Sequence, residues 1–302
     1  MSSATATFSP AERARTYASF VRLEHTLFSL PLLLAGAFSA PGPGLSIARW
    51  SLIAVAAVGA RTVALALNRL IDRRLDALNP RTRGRELPSG RMNLGEAYGL
   101  LAISAIAYFT ACAVLGGWYL KVSWIPLLVF AVYPYLKRFT PFCHFGVGAA
   151  LALAPLAGYA AAHPDLASPI VAYWLAGFAL AWVSGFDIIY ATLDEDFDRV
   201  QGVKSMIAWL GRALGLRVSA VLHAVAFLCL IAAGASLWRS IPPPRPAWAA
   251  PALVITLAAS GILLVLEQRW AENVNLAFFK VNVVVGFAVL MVVLAMRAAA
   301  GF

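Results

Sequence analysis

Asn68, Asp72 and Asp76 follow one another at intervals of four residues, and Asp187, Asp194 and Asp198 at intervals of seven and four. On a continuous helix, both spacings place their side chains on one face. Half of the chain's fourteen acids fall in these two short segments, Asp72–Asp76 and Asp187–Asp198. Carboxylates four residues apart repel, and a helix C-terminus disfavours anions. Two such sets facing one another are costly unless a divalent cation joins them. Mg2+ suits the donors, because it is held by one or two carboxylates together with the phosphates of a substrate. A softer metal would ask for His or Cys; His25, His144, His163 and His223 are dispersed, and Cys112, Cys143 and Cys229 lie apart in apolar runs. For either acidic segment alone, a solvated helix end paired with neighbours such as Arg69, Arg73 and Arg74 is an equal explanation. Two matching segments favour the metal.

Bases gather beside the same acids. Asn79–Gly90 contains Arg81, Arg83 and Arg85 among turn formers, Lys137 and Arg138 follow Tyr133-Pro134, and Lys204 lies just past the second acidic set. Arg83 and Arg91 read better as topology markers, but acids for a metal beside bases for phosphate point to a lipid diphosphate. Arg61 stands about two turns before Asn68, inside an apolar run, where an ionised group is functional by default. Its partner is an acid of the second set or a substrate anion, the plainer alternative being a structural salt bridge to a neighbouring helix. Arg22, Glu24 and His25 open the first apolar run and either reach the same cavity or snorkel to the interface.

The elements that must position these groups are membrane helices. Of 302 residues, 61% are apolar and only 13% charged, with a mean hydropathy of +0.78, against about 25% charged in an ordinary soluble domain. The apolar runs are continuous, which excludes a β-barrel. At about 20 residues per crossing, they divide into nine spans near 23–40, 48–70, 95–116, 119–136, 142–162, 168–190, 213–237, 248–268 and 277–297. The expected fold is all-α: nine transmembrane helices around a central cavity, in a domain of residues 23–302 after an N-terminal segment of residues 1–22. With the N-terminus inside, eighteen Lys and Arg fall on the inner side and five on the outer. That asymmetry places the N-terminus and both acidic sets on the cytoplasmic face. The net charge of +10 therefore marks topology and an anionic substrate, and nucleic acid is not expected as a partner. The 122-residue offset from Asp72 to Asp194 and from Asp76 to Asp198 hints at a duplicated four-helix unit.

These residues resemble the UbiA superfamily of intramembrane prenyltransferases. Asn68-x-x-x-Asp72-x-x-x-Asp76 matches its first aspartate-rich motif, and Asp194-x-x-x-Asp198 is similar to its second. Arg85-Glu86-Leu87-Pro88-Ser89-Gly90 is similar to its R-P-L-P-S-G loop, with Glu86 where proline is usual, and Lys137-Arg138 and Gly202-Val203-Lys204-Ser205 also match. Within the superfamily the second motif looks most like that of 4-hydroxybenzoate polyprenyltransferases. Glu24–Pro31 and Asn79–Thr82 look closer to a sister group that includes naphthoate prenylation in the futalosine route to menaquinone. Phe197, where a third aspartate is common, is a departure bearing on the acceptor.

The resemblance implies Mg2+-dependent transfer of a polyprenyl group from its diphosphate to an aromatic acid, in a bacterial inner membrane. It assigns Asp72, Asp76, Asp194 and Asp198 to the metal, and Asn68, Arg85, Lys137, Arg138 and Lys204 to the diphosphate. Asp187 would orient or deprotonate the acceptor, and Arg61 and Arg22 would bind it. The main alternative of another class is an ion-coupled transporter, which would place its ionisable residues near the membrane midplane on interrupted helices. Here they cluster at one mouth.

Overall fold

The computed structural model describes residues 9–22, 26–42, 44–164, 166, 168–271 and 277–302. A short helix, α1 (Pro10–Phe20), precedes α2 (Thr26–Ser39), α3 (Ile47–Leu78) and α4 (Leu94–Leu115). A broken pair follows, α5 (Gly117–Val122) and α6 (Trp124–Leu136), then α7 (Cys143–Ala162) and α8 (Ile170–Ala191). Two short helices, α9 (Glu195–Gln201) and α10 (Met206–Leu210), lead to α11 (Arg212–Ser240), α12 (Ala249–Arg269) and α13 (Ala277–Ala299). Among the described residues, eight helical stretches are long and apolar enough to cross a membrane, with α5–α6 and α8–α9 each counting as one. The remaining predicted span, the first at 23–40, corresponds to α2, whose apolar part, Ser29–Ser39, is shorter.

Helix α3 matters most for function. Its 32 residues measure about 48 Å at 1.5 Å per residue, well beyond the ~30 Å hydrocarbon core. Its last turns therefore carry Asn68, Asp72 and Asp76 past the apolar zone without breaking the helical face they share. The Ser46 hydroxyl caps the far end by accepting from the Arg49 amide. The second acidic set is built differently. Helix α8 ends at Ala191, a 3-10 turn covers Thr192–Asp194, and α9 then carries Asp198. The spacing-based expectation of one continuous helix through Asp198 is thus met only as far as Ala191.

Two features fix the bundle around this axis. Helices α2 and α7 meet backbone to backbone: a Cβ on Gly36 would lie 2.0 Å from the Pro155 carbonyl oxygen, and one on Gly158 2.0 Å from that of Leu33. Small residues make such close approach possible in membrane bundles, where packing replaces the hydrophobic effect as the source of association. Helix α8 is sheathed on most sides, burying Phe178, Trp182, Val183, Ile188 and Ile189. A polar set ties it to α11 and α12. The Trp182 indole donates to Glu267 (3.1 Å), Ser219 donates to the Gly185 carbonyl (2.8 Å), and the Gln268 amide lies 2.7 Å from Ser219 Oγ. Helix α8 is consequently a stiff support for Asp187.

Helix α1 lies in the segment expected to precede the domain. Ser9 and Glu12 form a capping box at its start, and Phe20 is buried with Ala66, Leu70, Met92 and Ala97. The segment thus docks on α3, α4 and the loop between them.

Candidate active site

One cavity of about 280 Å3 opens at the end of the bundle where α3, α6, α7, α8 and α9 meet. Asn68, Asp72 and Asp76 enter it from α3, Asp187 from α8, Asp194 and Asp198 from the segment beyond, and Arg85, Lys137 and Lys204 from the connecting loops. Nine of the twelve site residues expected from sequence therefore share a single space. Arg138 reaches Asp72 from just outside it (3.4 Å). Arg61 is not among the cavity's lining residues; its guanidinium donates to Ser29 Oγ (3.1 Å) and to the Arg22 carbonyl (3.2 Å). Arg22 itself closes α1 with a positive φ of 44°. Glu24 and His25 lie outside the described residues.

The acids and bases interlock. Asp72, 1% exposed, accepts from the Lys137 ammonium at 2.6 Å and from the Asn68 amide at 3.2 Å. Asp76 takes Arg85 Nη1 on both oxygens, at 2.8 and 2.9 Å. Asp194 accepts from the Asn79 amide (2.8 Å), from Arg81 Nε (2.8 Å) and from Arg81 Nη2. The loop after α3 therefore clasps both acidic sets, Asp76 through Arg85 and Asp194 through Asn79 and Arg81. Burial opposes the charge of Arg81, but Asp194 outweighs it and holds the guanidinium above its ordinary range.

Asp187 has a partner that sequence reasoning passed over. The buried His144 places Nδ1 2.7 Å from Asp187 Oδ2, while its Nε2 accepts the Met206 backbone N–H at 3.2 Å. A backbone N–H can only donate, so Nε2 is the acceptor and the ring proton sits on Nδ1, facing the carboxylate. The surrounding loops are laced together at this corner. The Lys204 amide donates to the Lys137 carbonyl (2.7 Å), and the Cys143 thiol to the Lys204 carbonyl (3.3 Å). Asn79, Arg81 and Tyr133 also line the cavity without having been singled out. The signal for Arg81 was its place in the same basic loop as Arg85; His144 carried no spacing signal.

Glu86, the residue that replaces the usual proline, has a structural task. It accepts from Ser19 Oγ at 2.6 Å and lies 3.6 Å from Arg91 Nη2, fastening the loop to α1. Burial raises its carboxyl, but the Ser19 hydroxyl and the nearby Arg69 and Arg91 more than offset this and hold it below the usual glutamate range.

Among the described residues, no three of His, Cys, Asp and Glu converge closely enough to form a metal cage from protein atoms alone. Paired carboxylate oxygens with an amide oxygen beside them fit a hard cation that completes its shell with phosphate. Five carboxylates and four Lys or Arg cations line the cavity. Their charges nearly cancel, so a diphosphate gains little net attraction unless it arrives with a divalent ion.

Apolar helices that deliver acids and bases to one mouth define a helical membrane enzyme for a substrate with a charged head. The chain belongs to the UbiA prenyltransferase family, whose family model matches residues 29–284. It is similar to the 4-hydroxybenzoate octaprenyltransferases of Vibrio parahaemolyticus (28% identity over 74% of this chain and 79% of that one) and Shewanella sp. MR-4 (30%, over 74% and 79%). Its fold matches the apo structure of a UbiA homologue from Aeropyrum pernix K1, with 32% identity and a TM-score of 0.78 over 89% of this chain and 96% of that one. It also matches a UbiA homologue from Archaeoglobus fulgidus solved with GPP and Mg2+, at 16% identity and a TM-score of 0.67 over 95% of this chain and the whole of that one. The protein is thus a multi-pass membrane prenyltransferase.

Proposed function

We infer that this enzyme transfers a polyprenyl group from polyprenyl diphosphate to an aromatic acid of the 4-hydroxybenzoate type. The observation that carries this reading is the single cavity that collects Asp72, Asp76, Asp194 and Asp198 with Arg85, Lys137 and Lys204. The curated relatives named 4-hydroxybenzoate octaprenyltransferase support the acceptor class. The mouth faces the cytoplasm of a bacterial inner membrane, in line with the distribution of Lys and Arg.

The four aspartates would hold Mg2+, which when bound supplies Lewis-acid charge to the departing diphosphate. Arg85, Lys137 and Arg138 turn from the carboxylates to the diphosphate oxygens, and together with Lys204 they stabilise the negative charge that develops there. Asn68 is kept in place by Asp72 and adds a polar contact beside them. The C–O bond breaks with its electron pair leaving on pyrophosphate. Tyr133, Tyr190 and Phe197 line the cavity and supply aromatic surface to the resulting allylic cation. The ring carbon beside the acceptor's hydroxyl attacks that cation, and Asp187, oriented by His144, takes the ring proton. Arg61, with Arg22, is assigned to the acceptor's carboxylate.

The test is incubation of purified protein with Mg2+, prenyl diphosphates of several lengths, and either 4-hydroxybenzoate or 1,4-dihydroxy-6-naphthoate, read by mass spectrometry. Prenylated 4-hydroxybenzoate with release of pyrophosphate is the expected result. Product from the naphthoate alone would move the acceptor to the menaquinone branch. Solute accumulation in vesicles without consumption of prenyl diphosphate would overturn the enzymatic reading altogether.

A further inference from the structure

A second hollow, of about 520 Å3, adjoins the catalytic cavity. Arg73 and Arg74 follow Asp72 on α3, and at 100° per residue they turn off the acidic face. They line this hollow with Lys137 and Arg138 from just past the end of α6, and Gln201, the last residue of α9, and Gly202 after it complete the lining. Four cations line it and, among the described residues, no carboxylate does. The contrast with the near-neutral cavity next door is large, and Lys137 borders both.

Lys137 and Arg138 are already committed to Asp72. Arg73 bonds the Leu70 carbonyl of its own helix (2.7 Å), and Arg74 is exposed. Neither has a carboxylate partner among the described residues. Two cations are thus left over for something from outside. Close by in the chain, Phe139 is 71% and Val200 80% exposed, and the Arg138 guanidinium stacks over the exposed Tyr135 at 5.0 Å. Cations set among exposed aromatic and aliphatic side chains at a helix end are the pattern of the headgroup zone.

We propose that this hollow is a binding site for a phosphate-bearing anion, separate from the catalytic cavity. The phosphate comes from one of two sources: the headgroup of an anionic phospholipid in the surrounding leaflet, or pyrophosphate released next door. The second source rests on the transfer reading above; the first does not.

The experiment compares the full-length protein with an Arg73→Gln/Arg74→Gln double variant and an Arg73→Lys/Arg74→Lys control. In one arm, each is reconstituted in phosphatidylcholine nanodiscs with or without phosphatidylglycerol, and retained lipid is counted by native mass spectrometry. In the other, pyrophosphate binding is titrated calorimetrically in phosphatidylcholine discs with chelator present. At about 1 kcal/mol per basic residue near a membrane surface, the Gln variant should bind about thirtyfold more weakly in whichever arm reports the true source, and the Lys variant should bind as the wild type does. Loss confined to phosphatidylglycerol identifies a lipid site, and loss confined to pyrophosphate a product site. Equal lipid retention and equal pyrophosphate affinity in all three proteins would overturn the proposal. Both arms read binding rather than turnover, so a failure of the transfer reading leaves the lipid arm intact.

Discussion

Replacing His144 tests the acid–base half of the site. Its Nδ1–H reaches Asp187 at 2.7 Å, a charge-assisted contact, and its Nε2 accepts the Met206 amide. A hydrogen bond to a charged group is worth about 1.5–3 kcal/mol. If that stabilisation acts on the chemical step, its loss lowers kcat about 10- to 150-fold, at ~1.4 kcal/mol per decade. His144→Ala should therefore slow turnover by that factor while leaving KM for prenyl diphosphate near the wild-type value, because Arg85, Lys137 and Lys204 are untouched. Alanine also strands the Met206 amide, so a fall in activity could reflect a loosened α7 corner. His144→Asn separates the two effects: its side-chain N–H donates from near the Nδ1 position but leaves the Met206 amide without its acceptor. Asn should recover most of kcat despite a lowered melting temperature. Steady-state kinetics on purified protein reads both constants, and circular dichroism melts report the fold. A kcat for His144→Ala within twofold of wild type, or an Asn variant as slow as the Ala variant, would refute the positioning role.

Asp72→Ala and Asp198→Ala should each cut prenyl transfer by about 10³-fold or more, with helical content retained, as measured by product mass and circular dichroism. Chelation of Mg2+ should abolish turnover yet barely move the melting temperature, since Lys137, Arg85 and Arg81 already neutralise three of the carboxylates. Gly158→Val drives its side chain into the Leu33 backbone and should destabilise the α2–α7 contact by roughly 3 kcal/mol or more, seen as a lower melting temperature in detergent. The Glu86 carboxyl is held below its ordinary range, so its stabilising effect is complete above the unfolded value of about 4.3 and fades as the pH falls through the lower folded value. Glu86→Gln should consequently melt below wild type at pH 7, by about 1 kcal/mol, and the gap should close in acid.

The legible parts of this molecule were those set by periodicity. Apolar runs gave most of the spans to within a few residues, α3 running on to Leu78 past the expected end near 70, and the step of four from Asn68 to Asp76 survives because α3 outlasts the bilayer as one unbroken helix. Where the chain bends, the pattern misleads: the step from Asp187 to Asp194 crosses a 3-10 turn, and α5–α6 breaks at Ser123 inside what reads as one span. Helix α1 escaped notice because its eleven residues carry few apolar positions, although Ser9-Pro10-Ala11-Glu12 has the form of a capped start. His144 and Arg81 belong to a further category. A lone histidine at the head of an apolar run and one arginine among several in a turn-rich loop acquire meaning only when folding brings Asp187 and Asp194 to them.

The charge arrangement links these observations to specificity. In the cavity, three of the four bases assigned to the diphosphate, Arg85, Lys137 and Arg138, already have an acid within reach, and those acids, Asp76 and Asp72, are assigned to the metal. Mg2+ arriving without phosphate must displace ammonium and guanidinium groups from carboxylates, and a diphosphate arriving alone meets five carboxylates. When both arrive together, the pairs exchange: the aspartates gain a cation, and Lys137, Arg85 and Arg138 gain an anion. No charge is then left buried without a counter-charge, which in a cavity of low dielectric decides the balance. It follows that apparent affinity for prenyl diphosphate should rise steeply with Mg2+ concentration, and affinity for Mg2+ with that of the diphosphate, by the same factor in each direction. Equilibrium titrations with a non-hydrolysable prenyl thiodiphosphate measure both. Independent binding of the two would show that the ion pairs around Asp72 and Asp76 do not exchange on substrate entry.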